Sequence, residues 1–240
     1  MSAAPAASLA KLRENVALAY RGEPRAVDLL VTALLSRGHV LIEDVPGVGK
    51  TTLARALGRS LSLDFRRIQF TSDTLPADVI GISVFHAASD RFEFHPGPIF
   101  AHIVLADEIN RATPKTQSAL LEAMNEAAVT VELERRALPE PFMVVATQNP
   151  VEYLGTYPLP ESQMDRFFFR LSLGYPAADE EKMLLRRGGT ERVLQAIPAV
   201  LGPAQVLAHR ILSVSSDGFG AGGREREIVR RILGQVPVPV

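Results

Sequence analysis

The feature of this chain that most restricts its fold is the alternation of short apolar runs with segments of helical periodicity. Five runs have the length and composition of buried strands, and they begin at His39, Phe65, His102, Phe142 and Phe167. The clearest helical segments between them are 51–61 and 115–127. Buried strands that alternate with helices form a parallel sheet covered by helices on both faces. We therefore predict an α/β fold with a five-stranded parallel sheet.

Composition limits the classes of protein to which the chain can belong. With 240 residues, of which 47% are hydrophobic and 22% charged, the chain can bury one large core and a small appendage. The formal net charge of −1 does not favour general binding to nucleic acid, although it leaves room for a local basic patch. The absence of cysteine excludes disulfides, thiolate nucleophiles and zinc–thiolate sites.

The start of the chain and its apolar runs bear on localisation. The first ten residues, MSAAPAASLA, lack the basic start and the long apolar core of a signal peptide. No apolar run reaches the length that a membrane-spanning helix needs. We therefore expect a cytoplasmic protein without a membrane span.

Residues 41–57 read LIEDVPGVGKTTLARAL, which is an apolar strand followed by a glycine-rich turn and a helix. Glycine at positions 47 and 49 permits backbone angles that side chains forbid, so successive N–H groups can converge on an anion. The N-terminus of the following helix adds its partial positive charge. We predict that this loop binds the phosphates of ATP through Pro46, Gly47, Val48, Gly49, Lys50, Thr51 and Thr52.

Two side chains of this loop have predicted chemical roles. Lys50 can reach the β- and γ-phosphates, and the Thr51 hydroxyl can bind Mg²⁺. Asp44 stands where the usual phosphate-loop pattern has glycine, so a purely structural turn is the alternative interpretation. Asp44 occupies only the first position of the loop, where the chain leaves the strand, and the residues predicted to touch phosphate are intact.

The run HIVLADE ends in two adjacent carboxylates, Asp107 and Glu108. An apolar strand that ends in Asp is how a phosphate-loop ATPase places a carboxylate beside its bound metal. Asp107 would then bind Mg²⁺, mostly through water, and Glu108 would polarise the attacking water. The alternative is an ordinary strand end followed by a helix-capping carboxylate. The phosphate loop about sixty residues upstream favours the catalytic interpretation.

Two further residues are candidates for contact with the γ-phosphate. The run FMVVATQNP ends in Gln148 and Asn149, and an amide at this strand end can hydrogen-bond the γ-phosphate or the water; an Asn-Pro turn is the alternative. Arg166 precedes the last apolar run and can reach the γ-phosphate of a neighbouring subunit. Its alternative is a surface arginine paired with Asp165.

The stretches LIEDVPGVGKTTLA, ADEINRATPKTQSALLEAMNE and VVATQNPVEYLGTYPLPESQMDRF resemble the MoxR family of AAA+ ATPases, and the resemblance runs from about residue 12 to 187. It implies an AAA+ αβα sandwich. It also implies that Lys50 and Thr51 belong to Walker A, Asp107 and Glu108 to Walker B, that Asn149 is sensor 1, and that Arg166 is the arginine finger. The segment 20–22 corresponds to the adenine-side segment of the family.

Two insertions also resemble the family. Residues 84–100 resemble the hairpin inserted into helix 2, and residues 130–141 resemble the hairpin before sensor 1. The family places such hairpins toward a pore or a client, and surface loops are the alternative. Three histidines fall in or beside the first insertion, at His86, His95 and His102. We do not expect these histidines to bind a metal, because the predicted Mg²⁺ site explains a metal better.

The last fifty residues depart from the family pattern. They contain no string resembling the G-A-S-P-R motif that carries the lid arginine of the family. We predict an AAA+ core over residues 1–176 and a partial or altered helical lid with a disordered tail over 177–240. Within that region, residues 179–187 have helical spacing, and GFGAGG near residue 220 has the composition of a flexible linker. A missing cationic contact in the lid predicts slow hydrolysis.

The resemblance implies an ATPase that couples Mg²⁺-dependent ATP binding and hydrolysis to the remodelling or maturation of protein partners. It also implies a ring oligomer, with a hexamer expected, and a partner that carries a von Willebrand factor A domain. Two alternatives stay open. One is an AAA+ nucleic-acid motor, against which the near-neutral charge argues, and the other is a nucleotide-binding ring subunit with weak turnover.

Overall fold

The structure is a computed structural model that describes residues 4–45, 47–87, 90–150, 155–174 and 190–207. In chain order, its elements are α1 (Ala4–Ala17), α2 (Pro24–Leu35), β1 (Val40–Glu43), α3 (Lys50–Ser60), β2 (Phe65–Gln69), α4 (Pro76–Ile80), β3 (Gly81–His86), β4 (Arg91–Pro96), β5 (Ile103–Asp107), a 3₁₀ turn (Ile109–Arg111), α5 (Pro114–Glu126), β6 (Ala128–Val131), β7 (Glu134–Ala137), β8 (Met143–Gln148), α6 (Glu161–Met164), β9 (Phe169–Leu171) and α7 (Thr190–Ala196).

The five apolar runs form one parallel sheet with the strand order β2-β5-β8-β1-β9. In the register, Val40 of β1 lies beside Val145 of β8, and Ile103 of β5 lies beside Met143 of β8. Strands β5 and β8 lie between β1 and β2, so the chain crosses over them after β1. In sheets of this kind, a crevice opens at the carboxyl ends of the strands where the strand order reverses. The prediction of a five-stranded parallel sheet is confirmed.

Helices cover both faces of this sheet because consecutive strand residues point to opposite sides. Val40 and Ile42 pack into a buried cluster with α1, α2 and α3. Leu41, which lies between them, packs into a second cluster with α4 and α5. Strands that are buried on both faces have the continuous apolar character of the runs in the sequence. The expected αβα sandwich is confirmed.

Both insertions are antiparallel hairpins that project from the sandwich. In the first, β3 pairs with β4, and in the second, β6 pairs with β7. The two hairpins touch each other, since the guanidinium of Arg136 lies 4.0 Å from the centre of the Phe94 ring. Phe94 also packs edge-on against Phe100, with ring centres 5.5 Å apart. The prediction of a hairpin at each insertion is therefore confirmed.

The described part of the C-terminal region, residues 190–207, packs against the core. The side chain of Asn15 in α1 donates to the carbonyl oxygen of Pro198 at 2.7 Å, and Arg55 of α3 forms a two-pronged ion pair with Glu191. The predicted helix at 179–187, the glycine-rich segment near 220 and the tail lie outside the described residues. The domain boundary at residue 176 therefore stays a prediction.

No helix among the described residues is long and apolar enough to cross a membrane.

Candidate nucleotide-binding site

The glycine-rich loop joins the carboxyl end of β1 to the N-terminus of α3. Gly47 and Gly49 have φ angles of 90° and 91°, in the left-handed region that side chains disfavour. A Cβ atom at Gly47 would meet no other atom within 4 Å, so backbone conformation and not crowding requires glycine there. The side chain of Val48 is 3% exposed and anchors the loop in the core. The loop therefore presents open backbone at the positive end of an 11-residue helix.

The side chains that follow these glycines lie in the first turn of α3. Lys50, Thr51 and Thr52 are all half-buried there. They stand at the helix N-terminus where an anion would bind. Pro46 lies outside the described residues, so its predicted contact with the nucleotide is untested.

The Lys50 side chain turns back across the loop. Its ammonium group donates to the carbonyl oxygen of Asp44 at 2.5 Å. Burial lowers the pKa of Lys50, and the nearby carboxylates of Asp107, Asp44 and Glu108 oppose this shift. The charge of Lys50 is therefore surrounded by the acidic groups of three separate positions. This is the electrostatic setting in which a phosphate and a divalent cation can be bound together.

Asp44, the residue that departs from the usual pattern, is a buried structural acceptor. Its carboxylate accepts hydrogen bonds from the backbone N–H groups of Val45 at 2.9 Å, Leu173 at 2.7 Å and Gly174 at 2.8 Å, and from the Ser172 hydroxyl at 3.1 Å. Burial alone raises the pKa of Asp44, but these four donors outweigh it and hold the pKa below its ordinary value. Asp44 therefore ties the phosphate loop to the segment after β9.

Asp107 and Glu108 lie at the carboxyl end of β5, and a buried hydroxyl on β8 holds both. The hydroxyl of Thr147 donates to one oxygen of Asp107 at 2.6 Å and accepts from the backbone N–H of Glu108 at 2.9 Å. Glu108 has a φ angle of 58°, which is uncommon for a residue with a side chain and often marks a functional position. Thr147 is fully buried, so no water replaces its hydrogen bonds.

Strand β2 also reaches this pair of carboxylates. Arg67 donates to the second oxygen of Asp107 from both Nε and Nη2, at 3.1 and 2.5 Å. The amide nitrogen of Gln69 donates to Glu108 at 2.9 Å, and Arg111 forms an ion pair with the same carboxylate oxygen at 3.0 Å. These contacts orient the two carboxylates side by side.

Arg67, Gln69 and Thr147 were not among the site residues predicted from the sequence. Gln69 and Thr147 each follow apolar residues near the carboxyl end of a run, in FRRIQF and FMVVATQ, which was the available signal, whereas Arg67 follows Arg66 and has no such signal. That signal becomes specific only through the register, which places Gln69 beside Asp107.

Two side-chain amides, Gln148 and Asn149, were predicted at the end of β8, and the structure places them differently. The amide nitrogen of Gln148 donates to the Glu43 carboxylate at 2.5 Å, so it braces β8 against β1. Asn149 is half-buried beyond the end of the strand, and its backbone carbonyl accepts from the Asn110 side chain at 3.5 Å. Asn149 stays the residue predicted to contact a nucleotide.

Arg166 lies at the other end of the sheet. It is exposed in the turn between α6 and β9, two residues before Phe168, whose N–H donates to the carbonyl oxygen of His39 at 2.8 Å. His39 precedes β1, whereas the phosphate loop follows it, and four strand residues span about 13 Å. The guanidinium of Arg166 makes no ion pair with a described residue, which is contrary to the alternative of pairing with Asp165.

The fold and the loop together define a phosphate-loop nucleotide-binding protein of the αβα class. Residues 39–169 match the family described as the ATPase family associated with various cellular activities (AAA). The chain belongs to the MoxR family of AAA+ ATPases. The matched residues include the phosphate loop, Asp107, Glu108 and Arg166.

Several relatives are similar to the chain over its core. It is 58% identical over 173 residues to the protein from Bacillus subtilis (strain 168) named Uncharacterized protein YeaC, covering 72% of this chain and 54% of that protein. It is 46% identical over 168 residues to Chaperone MoxR1 of Mycobacterium tuberculosis (strain ATCC 25618 / H37Rv), covering 70% of this chain and 45% of that protein. The chain thus spans about half the length of these two relatives.

A solved structure has a similar fold. A protein of Cytophaga hutchinsonii ATCC 33406, named as a candidate ATPase, superposes with a TM-score of 0.75 at 37% identity, covering 87% of this chain and 65% of that one. This similarity extends beyond the matched family region.

The buried carboxylate of Asp44 generates the first prediction. Asp44→Asn places an amide NH₂ against N–H donors, so we expect a loss of about 1–3 kcal/mol in the free energy of unfolding at pH 7. Because the pKa of Asp44 is lowered in the folded chain, its contribution is full above the ordinary value of 3.8 and is lost as pH falls further. Urea denaturation at several pH values should show the difference between the two proteins shrinking below about pH 4. A constant difference would contradict this account.

The bridging hydroxyl of Thr147 generates the second prediction. Thr147→Val keeps the shape but leaves the Glu108 N–H and one Asp107 oxygen without their buried partner, which should cost about 1–3 kcal/mol. We also expect slower ATP hydrolysis, because Glu108 loses the contact that fixes its backbone. Thr147→Ser keeps the hydroxyl and is the matched control. If both variants hydrolyse ATP equally fast, the bridge does not position Glu108.

Proposed function

We propose that this chain binds ATP with Mg²⁺ at the phosphate loop, hydrolyses it, and uses the hydrolysis to remodel protein partners. The observation that carries the proposal is the convergence of Lys50, Asp107 and Glu108. Both carboxylates stabilise the charge of Lys50, and Lys50 stands at the N-terminus of α3 directly after Gly49. Cationic, acidic and N–H donor groups at one strand edge are the parts that phosphoryl transfer needs.

The donor set fits ATP and Mg²⁺. Lys50 would contact the β- and γ-phosphates in place of its present contact with the Asp44 carbonyl. Thr51 and Asp107 supply the oxygen ligands that Mg²⁺ prefers, and the bound ion would neutralise developing phosphate charge. Arg67 pairs with Asp107 in the structure, but its side chain is 48% exposed, and such an exposed pair contributes only about 0–1 kcal/mol. Arg67 therefore offers little resistance to a cation.

Glu108 is the residue proposed to polarise the attacking water. Its backbone is fixed by Thr147, and its carboxylate is held by Gln69 and Arg111. A carboxylate that is positioned but still 27% exposed can accept a proton from water. Asn149, at the adjacent strand end, would orient the same water or the γ-phosphate. These roles rest on the positions of the residues and on the family to which the chain belongs.

Arg166 is proposed to act on a neighbouring subunit. The strand β1 separates it from the phosphate loop of its own chain, a distance of about 13 Å along the sheet. An arginine side chain that makes no ion pair with a described residue is available to a second copy. Such action requires a second copy of the chain, and we propose a homo-oligomeric ring, with a hexamer as the expected size.

The proposed partners are proteins. One relative is named Chaperone MoxR1, and the two hairpins of this chain expose apolar side chains, among them Phe92 at 66% and Leu133 at 100%. Exposed apolar side chains on projecting hairpins suit contact with a protein client. We propose that a protein with a von Willebrand factor A domain is one partner and that the chain acts in the cytoplasm.

Two parts of the function depend on regions outside the described residues. The predicted lid, over residues 177–240, is described only at residues 190–207. Those residues do not test the predicted slow hydrolysis, so both the lid and the slow hydrolysis stay predictions. ATPase assays should include double- and single-stranded DNA, because stimulation by DNA would favour a nucleic-acid motor. Stimulation by a von Willebrand factor A domain protein, with no effect of DNA, is the outcome expected here.

The proposed roles of Lys50 and Glu108 are separable. Lys50→Ala should weaken ATP binding by about 10- to 100-fold, because it removes a charge-assisted contact to phosphate. Glu108→Gln should keep binding and slow hydrolysis by at least about 100-fold, because the carboxylate acts on water. Titration with a fluorescent ATP analogue and a phosphate-release assay measure the two effects. Equal loss of binding in both variants would contradict the separate roles.

The proposed role of Arg166 predicts complementation between subunits. Arg166→Ala should bind ATP normally and hydrolyse it slowly, and mixing it with Lys50→Ala should restore part of the activity. In mixed rings, an intact pocket of an Arg166→Ala subunit meets an intact Arg166 of a Lys50→Ala neighbour. Arg170→Ala is the matched control, since Arg170 pairs with Glu43 in its own chain. No recovery in rings whose mixing is confirmed by mass would exclude action between subunits.

A further inference from the structure

The first hairpin, β3–β4, presents two histidines and a glutamate on one face. Residues directly opposite one another, and residues two apart on one strand, point to the same side of a hairpin. The pairs Ile82–His95, Val84–Glu93 and His86–Arg91 therefore share a face. Glu93 is two residues from His95 on β4 and diagonally opposite His86 on β3. The three side chains are exposed, and one ligand atom from each lies within 4.8 Å of the others.

From this placement we propose that His86, Glu93 and His95 form a binding site for a divalent transition-metal ion of the zinc class. Two imidazoles with one carboxylate suit zinc and its neighbours in the first transition row, and they suit Mg²⁺ or Ca²⁺ poorly. Three protein ligands leave a coordination position for water or for a donor from another molecule. From the sequence we expected that His86, His95 and His102 bind no metal, and the proposal reverses this for His86 and His95. It does not depend on the nucleotide site.

The distances are close to those that a metal needs. A tetrahedral ion with ligands at about 2.0–2.2 Å holds its ligand atoms about 3.4 Å apart. His86 Nε2 and a Glu93 oxygen already lie 3.2 Å apart. The rings of His86 and His95 have centres 6.2 Å apart. A bound ion would draw the three ligand atoms from within 4.8 Å of one another to about 3.4 Å, and all three side chains are exposed.

The backbone beneath the site is held firmly. A Cβ atom at Gly81 would lie 2.3 Å from the carbonyl oxygen of His95, and one at Gly97 would lie 2.3 Å from that of Val79. The base of the hairpin is therefore packed backbone against backbone. The opposite face carries Phe94, which contacts Phe100 and Arg136. Packing on that side leaves the face with the histidines directed outward.

One group works against a bound cation. Arg91 stands opposite His86 on the same face, and its positive charge repels a metal ion. The carboxylate of Glu93 lies closer to His86 and offsets this charge once the ion is bound. Arg91→Ala should therefore bind the metal more tightly than the natural chain.

The two other described histidines, His39 and His102, are separate from this cluster. His39 is buried, its Nδ1 accepts from the Val144 N–H at 3.0 Å, and its Nε2 then donates to the Met124 carbonyl at 2.9 Å, so both nitrogens are engaged. His102 lies beside Asp64, in a different part of the structure. His209 lies outside the described residues.

Titration with Co²⁺ and Zn²⁺ tests the site, with excess Mg²⁺ present to occupy Asp107. The chain has no cysteine, so visible absorption of bound Co²⁺ comes from nitrogen and oxygen ligands alone. We expect one ion per chain. Mutation of a residue that only hydrogen-bonds a metal ligand lowers metal affinity by about 10- to 100-fold. Because His86→Ala, His95→Ala and Glu93→Gln each remove a ligand itself, each should lower the affinity for Co²⁺ by at least about tenfold.

The controls are His102→Ala, His209→Ala and Lys50→Ala, each of which should keep the affinity of the natural chain. Lys50→Ala in particular separates this site from the phosphate loop. Binding of an ATP analogue, unchanged in His86→Ala and His95→Ala, confirms that these variants are folded. Natural affinity in both of these histidine variants, or no saturable Co²⁺ binding by the natural chain, would overturn the proposal.

Discussion

The candidate site depends on the parallel register of the four strands β1, β8, β5 and β2. In this register, Glu43 lies beside Gln148, and Gln69 lies beside Asp107. Parallel strands end at the same edge of a sheet, so polar residues that are far apart in the chain meet there. A slip of one residue in any strand would turn its polar end toward the opposite face. In β1, β5 and β8, the close packing of buried side chains on both faces opposes such a slip.

Two buried polar side chains fix the neighbouring loops relative to these strands. Asp44 connects the phosphate loop to the segment after β9, and Thr147 connects the two carboxylates of β5 to β8. Both are at most 8% exposed, so water cannot replace the hydrogen bonds that they make. Hydrogen bonds to a charged group contribute about 1.5–3 kcal/mol each, more than an ordinary exposed ion pair. The loop and the catalytic edge are therefore positioned from within the core.

Much of the fold could be predicted from local pattern. The five apolar runs became the five strands, with ends that differ by one or two residues, and residues 51–61 and 115–127 became α3 and α5 with shifts of one residue. The second hairpin was also predicted from its alternation, whereas the first was expected only from the family resemblance. These features depend on periodicity and turn residues within a short window. The roles of Arg67 and Gln69 could not be predicted in this way, because β2 reaches Asp107 only through a strand pairing across about forty residues.

The sequence by itself determined the glycine-rich loop, the acidic pair at the carboxyl end of β5 and which segments form the strands of the sheet, since each is written in consecutive residues. Only the tertiary structure decided that Gln148 braces Glu43 while Asn149 lies beyond the strand end, and that Arg166 stands at the far end of β1 from the loop of its own chain. It also decided that His86 and His95 meet across a hairpin while His102 does not. The physical reason is that residue type sets what a side chain can do, whereas strand order and register set what it can reach.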